Sequence, residues 1–433
     1  MKWNNCDEVY TLLTKYKGPK CQGVDPSTLE GKIVSGYQGW FNAPKDGAGM
    51  GWNSWDRKGV FEPGSCTIDL WPDLSEFDED EKYLTDFRTA SKEPTHVYSA
   101  HNKKSVLRHF KWMKEYGIDG AFVQRFVGPL KEPTRLHHSN KVLENCREGA
   151  NTYGRTYNVM YDLSGITSSD VQIVIKDWKN LVDKMGITRG NEDGAYQHHN
   201  GKPLVTIWGV GFCDGRHYTL EDCMELVKFF KEDPVYGGNA VMLGVPTGWR
   251  EQSLDHFYVP RVEERHIVMD GDCVQNLYLH DVIEAADIVS PWSVDRFIDL
   301  EGASYIAEHI WKKDIKWCEE KGIEFMPVVF PGFSWGNLYS GQAYNQIPRR
   351  EGTFLWRQLY EAVNLGSKMI YQAMFDEVNE ATAIFKCTND VPVGGSQFVT
   401  YEGLPSDYYL RLLGQGGKML RKEIRLSKEI PHI

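Results

Sequence analysis

Long apolar runs, basic clusters and cysteine motifs are all missing from this chain of 433 residues. No stretch of about 18 apolar residues occurs, so nothing in it reads as a membrane span. No run of Lys and Arg offsets a formal net charge of -11. Without basic charge to release counterions from phosphates, nucleic acid is excluded as a partner. The cysteines are Cys6, Cys21, Cys66, Cys146, Cys213, Cys223, Cys273, Cys318 and Cys387. They are scattered, odd in number and include no C-x-x-C, which signals neither a zinc site nor a dense disulfide framework. Cys6 and Cys21 could bridge in an exported protein, and free thiols are the alternative.

Other chemistries lack their signatures too. There is no G-x-S-x-G elbow for a hydrolase serine and no G-x-x-x-x-G-K-[ST] phosphate loop. Gly209-Val-Gly211 lacks the third glycine and the helix of a dinucleotide turn. His137-His138 and His198-His199 are adjacent pairs whose side chains diverge, unlike zinc ligands. The expectation is an activity with no metal and no cofactor. Met1-Lys-Trp-Asn-Asn5 has no apolar signal core. Both compartments therefore stay open: cytoplasmic as it stands, periplasmic or secreted if a signal was trimmed.

What is present is aromatic. The chain is 41% hydrophobic and 25% charged, ordinary for a globular protein, but 13% aromatic, with 14 Trp and 22 Tyr. Aromatic rings stack on the apolar faces of sugars and line clefts, so the composition leans towards a carbohydrate substrate. A well-packed barrel with aromatic-rich loops is the plainer reading of the same numbers.

Eight strand-like runs alternate with helix-like segments. The runs are 33–41, 120–126, 156–162, 203–209, 240–246, 287–292, 325–331 and 369–375. Between them the apolar spacing predicts helices, one opened by Asn102 and ended by Gly117, another opened by the capping box of Thr219 and Asp222. This order predicts an α/β fold, a single (β/α)8 TIM barrel with a long aromatic-rich insertion after strand 1. The domain reading is an N-terminal helical lead-in, 1–31, then a catalytic barrel, 32–433, with the insertion at 43–102. That insertion carries Gly51-Trp-Asn-Ser-Trp55 and Asp69-Leu-Trp-Pro-Asp73, and a loop so long and rich in Trp reads as a cleft wall. Residues 247–277 read as an irregular insertion.

The last run is the centre of the argument: Tyr371-Gln-Ala-Met-Phe-Asp-Glu377-Val-Asn-Glu380-Ala-Thr382. An apolar strand ends abruptly in Asp376, Glu377 and Glu380. At the C-terminal strand ends of a barrel, two acids three apart are candidates for acid/base work. A helix N-terminus using acids against its dipole is the alternative. The residues after the other strands converge on the same mouth: Tyr37 and Trp40; Gln124 and Arg125; Tyr161 and Asp162; Trp208; Trp249 and Arg250; Trp292; Phe333 and Trp335; and Asn379. Rings for CH faces beside carboxylates and amides for hydroxyl pairs make a sugar site.

These motifs resemble the glycoside hydrolase family 71/99-like proteins, relatives of the endo-α-mannosidases and endo-1,3-α-glucanases. The likeness runs through Gly36-Tyr-Gln-Gly-Trp-Phe41, Gly117-Ile-Asp-Gly120, Val329-Phe-Pro-Gly-Phe333 and Glu377-Val-Asn-Glu380-Ala-Thr382. Where the endo-α-mannosidases carry Glu-Trp-His-Glu-Gly-Thr, both acids and the Thr are kept here, while Val378, Asn379 and Ala381 differ. The resemblance implies a barrel enzyme that retains anomeric configuration without a protein nucleophile. Glu377 would deprotonate the substrate's own 2-hydroxyl, Glu380 would protonate the leaving oxygen, and Asp162 would support the sugar at the −1 subsite. The expected function is hydrolysis of glycosidic bonds in a poly- or oligosaccharide, endo-acting on the reading that the long insertion builds a cleft for several sugars. The alternatives are an α-glucanase, an exo-acting xylosidase or arabinosidase and, in another class, a non-catalytic carbohydrate-binding barrel.

Overall fold

The computed structural model describes residues 3–189, 192–252 and 273–433. The 247–277 insertion read from the sequence lies largely outside the described residues. In chain order the strands are β1 (Ile33–Tyr37), β2 (Tyr83–Arg88), β3 (Pro94–Val97), β4 (Gly120–Phe126), β5 (Thr156–Asp162), β6 (His198–His199), β7 (Lys202–Trp208), β8 (Ala240–Pro246), β9 (Ile288–Trp292), β10 (Glu324–Phe325), β11 (Val328–Val329) and β12 (Ile370–Gln372). The α-helices are α1 (Cys6–Tyr10), α2 (Lys103–Tyr116), α3 (Pro133–Tyr153), α4 (Val171–Asn180), α5 (Leu220–Glu232), α6 (Tyr278–Glu284), α7 (Leu300–Ile306), α8 (Lys312–Lys321), α9 (Thr353–Asn364) and α10 (Tyr408–Leu420).

One parallel sheet runs β10-β9-β8-β7-β5-β4-β1-β12-β11. Its two outer strands are successive pieces of one segment. Glu324 and Phe325 pair with Ile288 and Val289, while Val328 and Val329 pair with Tyr371 and Gln372. Between them the Met326 N–H donates to Val289 O at 2.9 Å and the Tyr371 N–H to Pro327 O at 3.0 Å. The segment thus joins both ends of the sheet and closes the barrel; Pro327, with no N–H to give, sits where the pairing changes sides. All residues of β5 and β8 are buried, as expected for strands covered on both faces.

The helix signals in the sequence are realised. Asn102 Oδ1 accepts from the Lys104 N–H at 3.0 Å, and α2 ends at Gly117 with φ 77°. Thr219 and Asp222 cap α5 reciprocally. Three local expectations are corrected. The first strand stops at Tyr37 rather than Phe41, because the Gln38 and Gly39 N–H groups turn to the Asp376 carboxylate, at 2.7 and 2.9 Å, and leave the ladder. The lead-in holds only the five residues of α1 as α-helix. The 43–102 insertion is no bare loop: β2 and β3 form an antiparallel hairpin, signalled by the inward Thr85 and Phe87 alternating with outward neighbours. Its Trp55 and Trp71 are buried with Phe61, Phe87 and Tyr98, continuous with the barrel core through Phe41 and Phe385, and do not wall a cleft. Cys6, Cys21, Cys66, Cys146, Cys223, Cys318 and Cys387 are free thiols, and Cys6 Sγ lies against Leu130 O. Among the described residues no helix is long and apolar enough to cross a membrane.

Candidate active site

Strand periodicity decides which residues reach the barrel mouth. Successive side chains point to opposite faces, so of two neighbours on a strand only one faces inward. On β4 it is Gln124, whose Nε2 donates to the Tyr371 hydroxyl at 3.2 Å. On β5 it is Asp162, whose Oδ1 accepts from the Ser164 N–H at 2.8 Å. On β7 and β9 they are Trp208 and Trp292, edge to face with ring centroids 5.4 Å apart. On β12 it is Tyr371, packed against Phe122 and Trp292.

Their neighbours face the helices, which corrects part of the expected site. Arg125 and Tyr161 both meet Asp177 of α4: the guanidinium donates twice at 2.6 Å and the phenol at 2.7 Å. Tyr37 is fully buried, its hydroxyl 2.8 Å from His109 Nδ1 on α2. Trp249 lies under the mouth's rim against His280 and Trp317, and Arg250 pairs with Asp314 of α8 at 2.7 Å. Asn379 is also inward from solvent, but its amide donates to Ser54 O and Thr67 O, tying the last loop to the insertion. Phe333 is buried behind Trp335, 4.8 Å between centroids.

The two glutamates lie on the loop after β12. Gln38 Nε2 donates to Glu377 Oε2 at 2.5 Å, and Trp335 Nε1 donates to Glu380 Oε1 at 3.2 Å. The loop is held from three sides. Asp376 ties it to β1 as above; burial pushes that carboxyl up to about 6, against the two N–H bonds that favour its charge. Arg349, 1% exposed, donates to Ala381 O and Ala383 O at 2.8 and 2.6 Å while its guanidinium lies over Tyr401 and Tyr409. Asp69 of the insertion accepts from the Gly336 and Asn337 N–H groups, both at 2.7 Å, and from the Ser334 hydroxyl, while its own N–H donates to Val378 O. One buried acid thus sets the Trp335 loop and the glutamate loop against each other.

Electrostatics here run one way. Burial first, then the charge of Glu380, push Glu377 well above the usual carboxylate range, and Asp376 and Asp162 add to it. The Gln38 amide opposes them by favouring the charged form. Burial pushes Glu380 up to about 7, with the Trp335 N–H and the Arg296 charge opposing. Asp162 is raised by burial, against the Ser164 bonds and the Arg216 charge. Arg216 itself lies over the Trp208 ring at 5.2 Å and is gripped by Asp214. Burial and then the charges of Asp162 and Glu377 raise the Tyr371 phenol. Neighbouring acids raise one another, so the site disfavours having Glu377 and Glu380 ionised together.

Beside the glutamates opens a cavity of about 250 Å³ lined by Gln38, Trp40, Met50, Asn53, Gln124, Phe126 and His138, among others. Trp40 stacks on Phe126, 5.2 Å between centroids. Gln38 Oε1, Gln124 Oε1 and Trp40 Nε1 are buried without a hydrogen-bond partner in the protein. Two acceptors and a donor thus lie unpaired just beneath the wall, where a small side-chain shift would bring them to hydroxyl groups. Among the described residues no group of three or more His, Cys, Asp or Glu is arranged to hold a metal ion.

Of the expected residues, Trp40, Gln124, Asp162, Trp208, Trp292, Trp335, Glu377 and Glu380 are brought together; Tyr37, Arg125, Tyr161, Trp249 and Arg250 are not. Gln38, Asp69 and Tyr371 were missed as site residues, and Asp376, named with the two glutamates from the sequence, ties their loop to β1. Period-2 alternation was the available signal for Gln38 and Tyr371; Asp69, more than 300 residues from the loop it holds, had none.

No family model matches the chain, and no curated protein matches it in sequence. Solved structures do match. The GH99 endo-alpha-mannosidase from Bacteroides thetaiotaomicron superposes with TM-score 0.62 at 16% identity, covering 91% of this chain and 99% of that one. Its complex with bis-tris-propane gives TM-score 0.60 at 15% identity, with 92% and 99% covered. A glycoside hydrolase-like protein gives TM-score 0.51 at 11% identity, with 95% and 99% covered. The chain therefore has a TIM-barrel glycoside hydrolase fold, shared over nearly its whole length with that endo-alpha-mannosidase.

Proposed function

We propose that this protein hydrolyses glycosidic bonds in a poly- or oligosaccharide, acting inside the chain and retaining anomeric configuration through the substrate's own 2-hydroxyl. One observation carries the reading: two carboxyls, Glu377 buried and Glu380 half-buried, each held by a neutral donor and raised chiefly by desolvation. Acid/base catalysis needs one group ionised and one protonated at the same pH, and a pair sharing a proton supplies both. A binding barrel would gain nothing from burying such a pair. The fold shared with an endo-alpha-mannosidase supports the same class.

In the first step Glu377 takes the proton of the 2-hydroxyl and the freed oxygen attacks the anomeric carbon. The bond to the leaving oxygen breaks, and Glu380 gives that oxygen its proton. In the second step Glu380 takes a proton from water, the hydroxide opens the 1,2-anhydro ring at the anomeric carbon, and Glu377 returns its proton to the 2-oxygen. Both steps invert, so the product is retained. The Gln38 amide opposes the larger upward push of burial and of Glu380 on Glu377, so Glu377 serves as base when the proton of the pair resides on Glu380. The unpartnered atoms of Gln38, Gln124 and Trp40 supply bonds to sugar hydroxyls.

Reducing-end release from a panel of α-mannans, α-glucans and plant polysaccharides identifies the sugar, and NMR of the first-formed anomer tests retention. Glu380→Gln should lose roughly 10²–10⁴-fold on substrates with poor leaving groups and far less on an activated aryl glycoside; equal loss on both refutes its role as acid. Glu377→Gln should lose on all of them, and a 2-deoxy substrate should not be turned over.

A further inference from the structure

The mouth has two unlike sides. On the Glu377 side lies the walled cavity described above, below the roughly 300–1,000 Å³ of pockets for drug-sized ligands and so suited to a single sugar ring. On the Glu380 side aromatic rings run outward along the loop after β11. Trp335, whose Nε1 reaches Glu380, meets Tyr339 edge to face at 5.0 Å. The Tyr339 N–H donates to Trp335 O at 3.0 Å, which fixes the two rings on one turn. Tyr339 is 43% exposed, unusual for a ring held this firmly. Arg57 reaches from the insertion to lie over it, guanidinium 4.7 Å from the ring centroid. The turn itself is anchored, because Asp69 accepts from Gly336 and Asn337 and the Tyr344 hydroxyl donates to Asn337 Oδ1 at 2.7 Å.

We infer that Trp335, Tyr339 and Arg57 form the binding site for the leaving-group side of the glycan, carrying at least one sugar beyond the bond that Glu380 protonates. This rests on the proposed glycoside hydrolase activity and deepens it by giving the substrate a direction: the ring that is attacked lies on the Glu377 side, and the departing chain lies over Tyr339. An exposed ring that is held rigid loses little freedom when a sugar face covers it, which is what an aromatic platform needs.

The test compares two substrates of the sugar that the panel identifies: a tetrasaccharide and an activated aryl glycoside with no sugar on the leaving side. In Tyr339→Ala the ratio of kcat/KM for tetrasaccharide over aryl glycoside should fall roughly two- to tenfold, the worth of one aromatic contact. Tyr339→Phe should keep the wild-type ratio, since the ring and not the hydroxyl makes the platform. The loss should appear in KM and not in kcat, because Tyr339 does not touch the reacting atoms. A ratio unchanged in Tyr339→Ala, with the wild type cleaving both substrates, overturns the platform and leaves the hydrolase reading standing. A wild type that cleaves neither substrate overturns both.

Discussion

Two buried polar clusters flank the same strand, β5, and they are opposites. Outside the barrel, Asp177 accepts from Arg125, Tyr10 and Tyr161, a neutral and hydrogen-bonded knot between strand and helix. Inside, Asp162 shares the mouth with Glu377 and Glu380, acid beside acid, each carboxyl raised by burial. The first arrangement pairs opposite charges, with all the Asp177 bonds made and only Arg125 Nη1 left without a partner in the protein. The second stands only because its protons are shared, and strongly shifted acids in a cleft mark sites of chemistry. Adjacent residues of one strand, Tyr161 and Asp162, belong one to each.

The comparison can be broken from either side. Asp177→Ala leaves the buried Arg125 guanidinium without its partner and should cost about 3–5 kcal/mol in denaturant unfolding. The folded fraction should keep its KM, since Arg125 does not reach the substrate; a large KM change with unaltered stability would put Arg125 back in the mouth. On the inner side, Glu380 has a folded value of about 7 against an ordinary 4.5. Its contribution to stability is therefore complete below about pH 4.5 and lost as pH rises through about 7, because the folded state holds the proton more tightly. Glu380→Gln should remove that loss, stabilising the protein by roughly 1–3 kcal/mol at pH 8 and hardly at pH 4. Thermal melts at the two pH values check it, and equal shifts would deny the raised pKa.

A further substitution, of comparable size, sharpens the link between insertion and site. Asp69→Asn turns one of three accepted hydrogen bonds into donor against donor, an expected cost of about 1.5–3 kcal/mol. It should also lower kcat by shifting Trp335 from Glu380. Loss of stability with an unchanged pH–rate profile would reduce Asp69 to a structural tie.

The sequence was legible where chemistry is local. Asn102, Gly117 and the Thr219 capping box delimit helices by bonds within a few residues. The apolar runs mark the barrel strands, and Glu377 and Glu380 stand out as acids ending such a run. Alternation was also present and could have separated Gln124 from Arg125 and Asp162 from Tyr161. The hairpin of β2 and β3 was masked by the Gly, Pro and Trp around it.

What the sequence determined by itself was the order of strands and helices and the presence of two acids at a strand end, since periodicity and capping are short-range. Only the tertiary structure decided which polar side chains meet. Asp69 and Ser334 are 265 residues apart, as are many such partners here. Closure of the sheet through β10 and β11 likewise rests on hydrogen bonds between distant segments, and no local pattern encodes those partners.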